Sequence, residues 1–450
     1  MLDLPRGGQF FEFFFHEMVG LRPKMLACSG ASPDSSAMPA PRPREIALRL
    51  LRRWESGQTH ADTLLAEALP SLPPRERPLC QELFLGAIRR RATLDWLIDL
   101  RTNGRRQPAL VQSLLRLGLY QIFWLDRVPN HAAVNETVNL ARQCDIGRAS
   151  GFINAVLRNS LREEAETRHQ LAGLRETHPA IAHSHPDWLV RRWQARWGDT
   201  DASTLLDWNN RPAQTHARRN TLYETSEADW IQFDWAHEQF LTHDGPANTL
   251  PGFEDGAFYI QDPSTLLAVE LLNPQPDESL LDLCAAPGGK TTAIAARMQN
   301  TGHLVASDIR EDRLQRLREN CKRLGADCVE VMPAGTDVRE KFDGVLLDVP
   351  CTNTGVMRRR VDLRWRLQPH DLQATMKTQR ELLMQAARNV TPGGRLVYST
   401  CSLEPEENSE MTREFLTRHP AFVMEKERDL LPFRDGVDGA YATVMRLTAT

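Results

Sequence analysis

Leu280-Leu281-Asp282-Leu283-Cys284-Ala285-Ala286-Pro287-Gly288-Gly289-Lys290-Thr291 is the stretch that decides the fold. A short apolar run gives way to a turn of small residues and glycine, and Thr291 to Met298 then has the composition of a helix. Small residues let a backbone approach a ligand closely, and the free amides of a helix start suit polar or anionic groups. Gly289-Lys290-Thr291 matches the end of a phosphate-gripping loop, but that motif needs its first glycine at position 284, where this chain has cysteine. A G-x-G-x-x-G fingerprint is absent as well. Neither a nucleoside triphosphatase nor a dehydrogenase is supported.

The same rhythm continues outward from this turn. Leu304-Val305-Ala306 reads as a strand ending at Asp308, and Asp312 to Leu324 as a helix rich in Arg and Leu. Cys328 to Val331 and Phe342 to Leu347 read as strands, Leu372 to Val390 as a helix and Arg395 to Ser399 as a strand. Alternating strands and helices predict a doubly wound, mostly parallel α/β sheet of the Rossmann kind, with its ligand crevice beyond the carboxyl ends of the strands. Asp308 stands about twenty residues after the glycine turn, where an acid accepts hydrogen bonds from the ribose hydroxyls of an adenosine cofactor. A strand-end Asp also caps following helices. A loop without a diphosphate signature, followed by such an acid, suggests an adenosyl ligand lacking phosphates, and S-adenosylmethionine fits.

At 450 residues the chain predicts two or three domains, and its 41% hydrophobic and 25% charged residues are those of a globular protein. Residues 1–42 have the composition of a disordered extension, within which Met25 and Met38 are alternative starts. No apolar run reaches transmembrane length, and Phe10 to Phe15 lacks the flanks of a secretory signal. Residues 43–165 carry helical stripes, such as Ile46, Leu50 and Trp54, that predict an all-α domain. Residues 166–258 are mixed and rich in tryptophan, which predicts a small α+β linker domain whose tryptophans are mainly structural. Residues 259–450 hold the Rossmann-like domain.

The net charge of −4 argues against a protein that coats nucleic acid. The basic residues are mostly arginine, clustered at Arg52-Arg53, Arg89-Arg90-Arg91, Arg105-Arg106, Arg191-Arg192 and Arg358-Arg359-Arg360. Arginine suits phosphate forks, so the clusters permit an RNA partner without requiring one. The eight cysteines follow neither a disulfide framework nor zinc-ligand spacing, which predicts a reducing cytoplasmic setting and no metal.

Two of those cysteines carry the chemistry. Cys351 ends Asp348-Val349-Pro350-Cys351 and Cys401 ends Ser399-Thr400-Cys401, each just past an apolar run. A single cysteine there is commonly a small apolar filler. Two thiols and a carboxylate facing one crevice instead suit covalent chemistry on an electrophilic carbon. The C5 carbon of a pyrimidine is a poor nucleophile, so a thiolate must first add at C6 to create carbanion character at C5. A carboxyl group near N3 then stabilises developing charge, and a base removes the C5 proton after transfer. Chemistry alone leaves open which thiol attacks.

Asp282 to Thr291, Asp348 to Cys351 and Ser399-Thr400-Cys401 with Pro405-Glu406-Glu407-Asn408 resemble the RNA cytosine-C5 methyltransferases. His131 to Glu136 and Gly151 to Arg158 resemble the helical RNA-binding domain of the NusB antitermination factor. Ser184 to Leu189 and Gln261-Asp262-Pro263 are similar to the RsmB (Sun/Fmu) group, which joins the two domains, and the resemblance covers nearly everything after residue 42. It implies an S-adenosylmethionine-dependent enzyme making 5-methylcytosine in 16S ribosomal RNA, of the cytosine(967)-C5 type. It also implies a cytoplasmic protein, monomeric, with no membrane or metal partner. Cys401 would attack C6, Cys351 would aid release, and Asp348 and Lys290 would complete the catalytic set. Cys284, Ala285, Ala286, Pro287, Gly288, Gly289, Lys290, Asp308 and Asp348 would hold the cofactor. The family's acid after the third strand falls at Gly335-Thr336-Asp337, which selects Asp337. Arg360 to Trp365 departs from the family pattern in lacking His-Pro. The alternatives are the same chemistry on transfer RNA, or a catalytically inert RNA-binding assembly factor.

Overall fold

The computed structural model describes residues 42–449, apart from 58, 224–228, 244–249 and 334–339. The expectations for the amino-terminal extension and for Asp337 lie outside the described residues. The described residues divide into two compact units, one comprising 42–210 with Arg360–Trp365, the other Arg211–Arg359 with 366–449.

The first unit is helical. Pro43–Glu55 starts with proline at its first turn and buries Ile46, Leu50, Leu51 and Trp54 on one face. The helix Ala109–Trp124 is buried nearly all round and forms the centre of the core. Neighbouring helices approach closely: a Cβ on Gly86 would lie 2.0 Å from the Tyr120 ring, so only glycine fits there. The segment 360–365 belongs to this unit. Arg364 is fully buried, with Nη1 donating to Asn210 Oδ1 (2.9 Å) and Nη2 to the Asn209 carbonyl (2.8 Å), and Trp365 Nε1 donates to the Ile88 carbonyl (2.8 Å). The Arg360 to Trp365 departure is therefore a packed element of the helical unit. Trp193 is likewise fully buried, against His185, as a structural tryptophan should be.

The second unit begins with a small antiparallel sheet of β1 (Thr215–Arg219), β2 (Ile231–Gln232), β3 (Gln239–His243) and β4 (Phe258–Ile260), in the order β2-β3-β1-β4. The large sheet follows: β5 (Ser279–Leu283), β6 (His303–Asp308), β7 (Val329–Pro333), β8 (Phe342–Asp348), β9 (Val390–Thr400), β10 (Phe422–Leu430) and β11 (Ala440–Leu447). Its order is β10-β11-β9-β8-β5-β6-β7, parallel from β9 to β7 and antiparallel at β11 and β10. Alternation along each strand builds two cores. Leu280, Leu304, Ala306, Leu346 and Val397 pack with the helices Leu267–Leu272, Gly289–Arg297 and Glu311–Leu324. Leu281, Val305, Val345, Leu347, Leu396 and Tyr398 pack with Asp371–Arg388 and Ser409–Arg418. Helices thus cover both faces of a doubly wound sheet.

Two local expectations are corrected. The helix expected to reach Val390 stops at Arg388, and β9 already begins at Val390, with Gly393 in the left-handed region at φ 81°. Strands β10 and β11 extend the sheet beyond the expected elements. Phe422–Leu430 carries Glu425, Lys426, Glu427 and Arg428 in succession, a charged edge that apolar periodicity does not reveal. Among the described residues no helix is long and apolar enough to cross a membrane.

Candidate active site

Order reverses between β5 and β8, which leave β5 flanked by β6 on one side and β8 on the other. Ligands bind doubly wound sheets at such a switch point, and the loops after β5, β6, β8 and β9 carry the residues singled out above. β8 and β9 are in register at Asp348 and Ser399, so both cysteines emerge from adjacent strands.

The turn Cys284 to Gly289 leaves β5 with Cys284 in the left-handed region (φ 62°). Gly288, at φ 105°, sits so close to the neighbouring helix that a Cβ would lie 2.7 Å from Leu317 Cδ1. The turn is tied to β6 through the Ala285 amide on the Ser307 carbonyl (2.9 Å) and the Ala286 amide on Asp308 Oδ2 (3.3 Å). Asp308 Oδ1 also accepts from the Arg310 amide (3.2 Å). Burial, followed by the charges of Asp308, Asp348 and Asp282, pushes the Cys284 thiol far up, so this cysteine is an inert part of the wall.

Lys290, in the first turn of the following helix, places Nζ 2.6 Å from Asp348 Oδ2. Burial works against its charge, but Asp348, with Asp282 and Cys401, outweighs that effect and raises the ammonium pKa. A lysine held by a carboxylate in this way is not poised as a phosphate grip. Beneath the pair lies Asp282, wholly buried, whose Oδ2 accepts from Thr291 Oγ1 (2.7 Å) while Oδ1 has no hydrogen-bond partner. Burial pushes its carboxyl up to about 7.

Cys351 Sγ and Cys401 Sγ are 3.3 Å apart. Asn353 closes a ring around them. Its Nδ2 donates to the Cys351 carbonyl (2.6 Å), which can only accept, and this turns Oδ1 toward Cys401 Sγ at 3.0 Å. Cys401 therefore donates its S–H to Asn353, and Cys351 donates to the Cys401 sulfur. That hydrogen bond, then burial, then the charges of Cys401 and Glu407, push the Cys351 thiol well above its ordinary range. Glu407 lies buried behind both loops, its own carboxyl pushed up to about 7 by burial.

All the candidate residues except Asp337 are thus in the described part of this crevice. Sequence reasoning gave no role to Asn353, because an Asn after Pro-Cys-Thr belongs to no motif it used. Glu407 stands out in the sequence only as part of Pro405 to Asn408. The Arg358–Arg360 cluster is not an open basic patch: Arg358 and Arg359 pair with buried Asp438, and Arg359 Nη2 reaches Asp262 Oδ2 at 2.7 Å. Asp262 also accepts from the Ser264 amide (3.0 Å), which explains the Gln261-Asp262-Pro263 motif structurally.

Comparison with known proteins agrees with this architecture. Residues 269–442 match the 16S rRNA methyltransferase RsmB/F family, residues 41–162 the NusB family, and residues 185–232 the ferredoxin-like domain of RsmF/B-like methyltransferases. The chain is 35% identical over 401 residues to a probable ribosomal RNA small subunit methyltransferase B of Synechocystis, covering 84% of this chain and 89% of that protein. It is 35% identical over 409 residues to the ribosomal RNA small subunit methyltransferase B of Vibrio vulnificus, covering 85% and 94%. The crystal structure of PH0851 superposes with a TM-score of 0.69 at 23% identity, over 92% of this chain and all of that one, a likeness of fold. A doubly wound sheet with a small-residue turn at its switch point is that of the S-adenosylmethionine-dependent methyltransferases. With a NusB domain and a ferredoxin-like domain ahead of it, the chain belongs to the RsmB/F family of rRNA methyltransferases.

Proposed function

We propose that the protein methylates C5 of a cytosine in 16S ribosomal RNA, of the cytosine(967)-C5 type, through a covalent adduct between Cys401 and C6 of the base. The observation that carries this reading is the pair of thiols 3.3 Å apart, with the Asp348–Lys290 pair at the end of β8, the strand that leads to Cys351. The crevice suits an adenosyl group. Its turn has small side chains, its acid Asp308 follows the second strand, and its one lysine is engaged by Asp348 rather than free for a phosphate. Cys284 to Lys290, Asp308 and Asp348 would hold S-adenosylmethionine there. When bound, that cofactor supplies an electrophilic methyl group and leaves as a neutral thioether.

With its S–H proton passed to solvent water, the Cys401 thiolate forms a bond to C6 while the C5–C6 π electrons move toward C5 and N3. Asp348, hydrogen-bonded to the base, and the Lys290 ammonium offset the charge that builds up. Once C5 carries the methyl group, a water molecule acting as base takes the C5 proton, and the electron pair left behind forms the C5–C6 double bond as the S–C6 bond breaks and its pair goes to the Cys401 sulfur. Cys351, 3.3 Å from the leaving sulfur, donates its S–H there and so aids release.

A contact for RNA in the helical unit is supported by a cavity of about 470 Å³ there. Asn135, Asn139, Arg142, Asn154 and Arg158 line it with no acidic side chain among them. Bisulfite sequencing of ribosomal and transfer RNA from cells with and without the protein tests the substrate. Loss of one methylated cytosine in small-subunit rRNA is expected, and loss confined to transfer RNA would overturn the choice. Calorimetry with S-adenosylmethionine separates the enzyme from an inert assembly factor, since only the former requires the cofactor to bind.

A further inference from the structure

The chemistry above makes no use of the Pro405-Glu406-Glu407-Asn408 motif, although Glu407 is wholly buried behind both cysteines. Its Oε1 accepts from the Thr352 amide (2.9 Å) and from Gln379 Nε2 (3.0 Å), and its Oε2 accepts from the Thr352 hydroxyl. Gln379 Nε2 also reaches the Pro350 carbonyl (3.0 Å). The residues on each side of Cys351 are therefore fixed from behind by one carboxyl and one carboxamide.

The Cys401 loop hangs on the same cluster. Ser402 Oγ lies 3.1 Å from Thr352 Oγ1 and 3.2 Å from Thr354 Oγ1, and it accepts from the Glu404 amide (3.0 Å). Thr400 Oγ1 donates to Asn408 Oδ1 (2.6 Å), whose Nδ2 donates to the Ser402 carbonyl (2.9 Å). Tyr398 Oη donates to the Glu407 carbonyl (2.7 Å), which anchors the motif to β9. Burying a carboxyl costs far more than burying an apolar side chain of the same size, unless it is fully hydrogen-bonded. Here the bonds made in return fall on Thr352, next to Cys351, and on Gln379, which also holds the Pro350 carbonyl on the other side of that cysteine.

We propose that Glu407 is a positioning residue that sets the separation of Cys351 and Cys401: its carboxyl group holds Thr352 beside Cys351, and Thr352 in turn meets Ser402 beside Cys401. The proposal rests on the reading that both thiols serve one reaction. Glutamine can replace it with little loss. One oxygen keeps the two N–H donors, and the Thr352 hydroxyl reverses to accept from the amide. Alanine leaves the Thr352 amide and one Gln379 N–H without an acceptor and loosens the Cys351 loop.

The test uses the full chain as wild type, Glu407→Ala, Glu407→Gln and Thr352→Val. Two quantities are read: the single-turnover methylation rate with dissociation constants for cofactor and RNA, and the uptake of phenylarsine oxide, which must bridge two close sulfurs, mapped to Cys351 and Cys401 by mass spectrometry. Glu407→Ala should lose about 10²-fold in rate, the scale for misplacing a reacting group by about 1 Å. Its dissociation constants should stay within about 2-fold and its arsenical bridge should be lost, while Glu407→Gln regains most of both. If Glu407→Ala does not fold, Thr352→Val decides by the same two measurements. Wild-type rate and wild-type bridging in whichever of these variants folds would overturn the proposal. A wild-type protein that bridges the arsenical yet methylates no cytosine would sink the proposed function instead, and loss of bridging in the variants would still support the clamp.

Discussion

Asn353 Oδ1 lies 3.0 Å from Cys401 Sγ, and the amide end of the same side chain is fixed on the Cys351 carbonyl at 2.6 Å. One carboxamide thus assigns the protons of two thiols. Cys351 is held protonated as donor to Cys401, while Cys401 has an acceptor that is not a base. Thiolates, not thiols, are alkylated. Iodoacetamide at neutral pH should therefore label Cys401 before Cys351, followed by peptide mass spectrometry. Prior labelling of Cys351 would contradict this assignment.

The Asp348–Lys290 pair is predicted to act on the reacting base rather than to hold the fold. Asp348→Ala should lower kcat by about 10²–10³-fold, the usual cost of losing one preorganised charge-stabilising group, with an unchanged melting curve. Lys290→Met should lose turnover similarly. Normal turnover in a folded Asp348→Ala protein would remove the carboxylate from the mechanism.

Asp282 makes a prediction about pH and stability. Burial raises its carboxyl to about 7 from an ordinary value of 3.8, so the folded state binds this proton more tightly than the unfolded chain. Its contribution is fully present below about pH 4 and is lost as pH rises to about 7, worth up to roughly 4 kcal/mol at 1.4 kcal/mol per unit. Asp282→Asn cannot ionise and keeps an oxygen for Thr291 Oγ1. It should flatten the fall in stability of the second unit between pH 5 and pH 8, measured by urea denaturation. An unchanged slope would mean that Asp282 does not titrate in this range.

In the helical unit, Arg142→Ala with Arg158→Ala should weaken RNA binding without changing cofactor affinity. Removing two phosphate contacts predicts a drop of about 2 in the slope of log affinity against log salt concentration. A fluorescence anisotropy titration that shows an unchanged slope would place the RNA elsewhere.

Much of this site was legible in the sequence because strand ends and tight turns impose residue types that leave a local trace. The apolar run Leu280 to Leu283 and the small-residue turn after it located the switch point, and the register of Asp348 with Ser399 follows from β8 and β9 being neighbours. What was not legible is long-range. The burial of Arg364 in the helical unit, the consumption of Arg358 and Arg359 by Asp438, and the bridging of two loops by Glu407 join residues far apart in the chain. Such pairings are set by tertiary packing, and no local spacing encodes them. Strand β10 escaped for a different reason, since a charged edge strand hides the alternation that marks a buried one.

The central claim is that Cys401 attacks the base while Cys351 serves its release, and covalent trapping tests it most directly. RNA substrate, S-adenosylmethionine and each of wild type, Cys351→Ala, Cys401→Ala and the double variant are incubated and run on a denaturing gel. The account predicts a slow-migrating protein–RNA band for Cys351→Ala, and none for Cys401→Ala or the double variant. A band that persists without Cys401, or free turnover by Cys351→Ala, would contradict it.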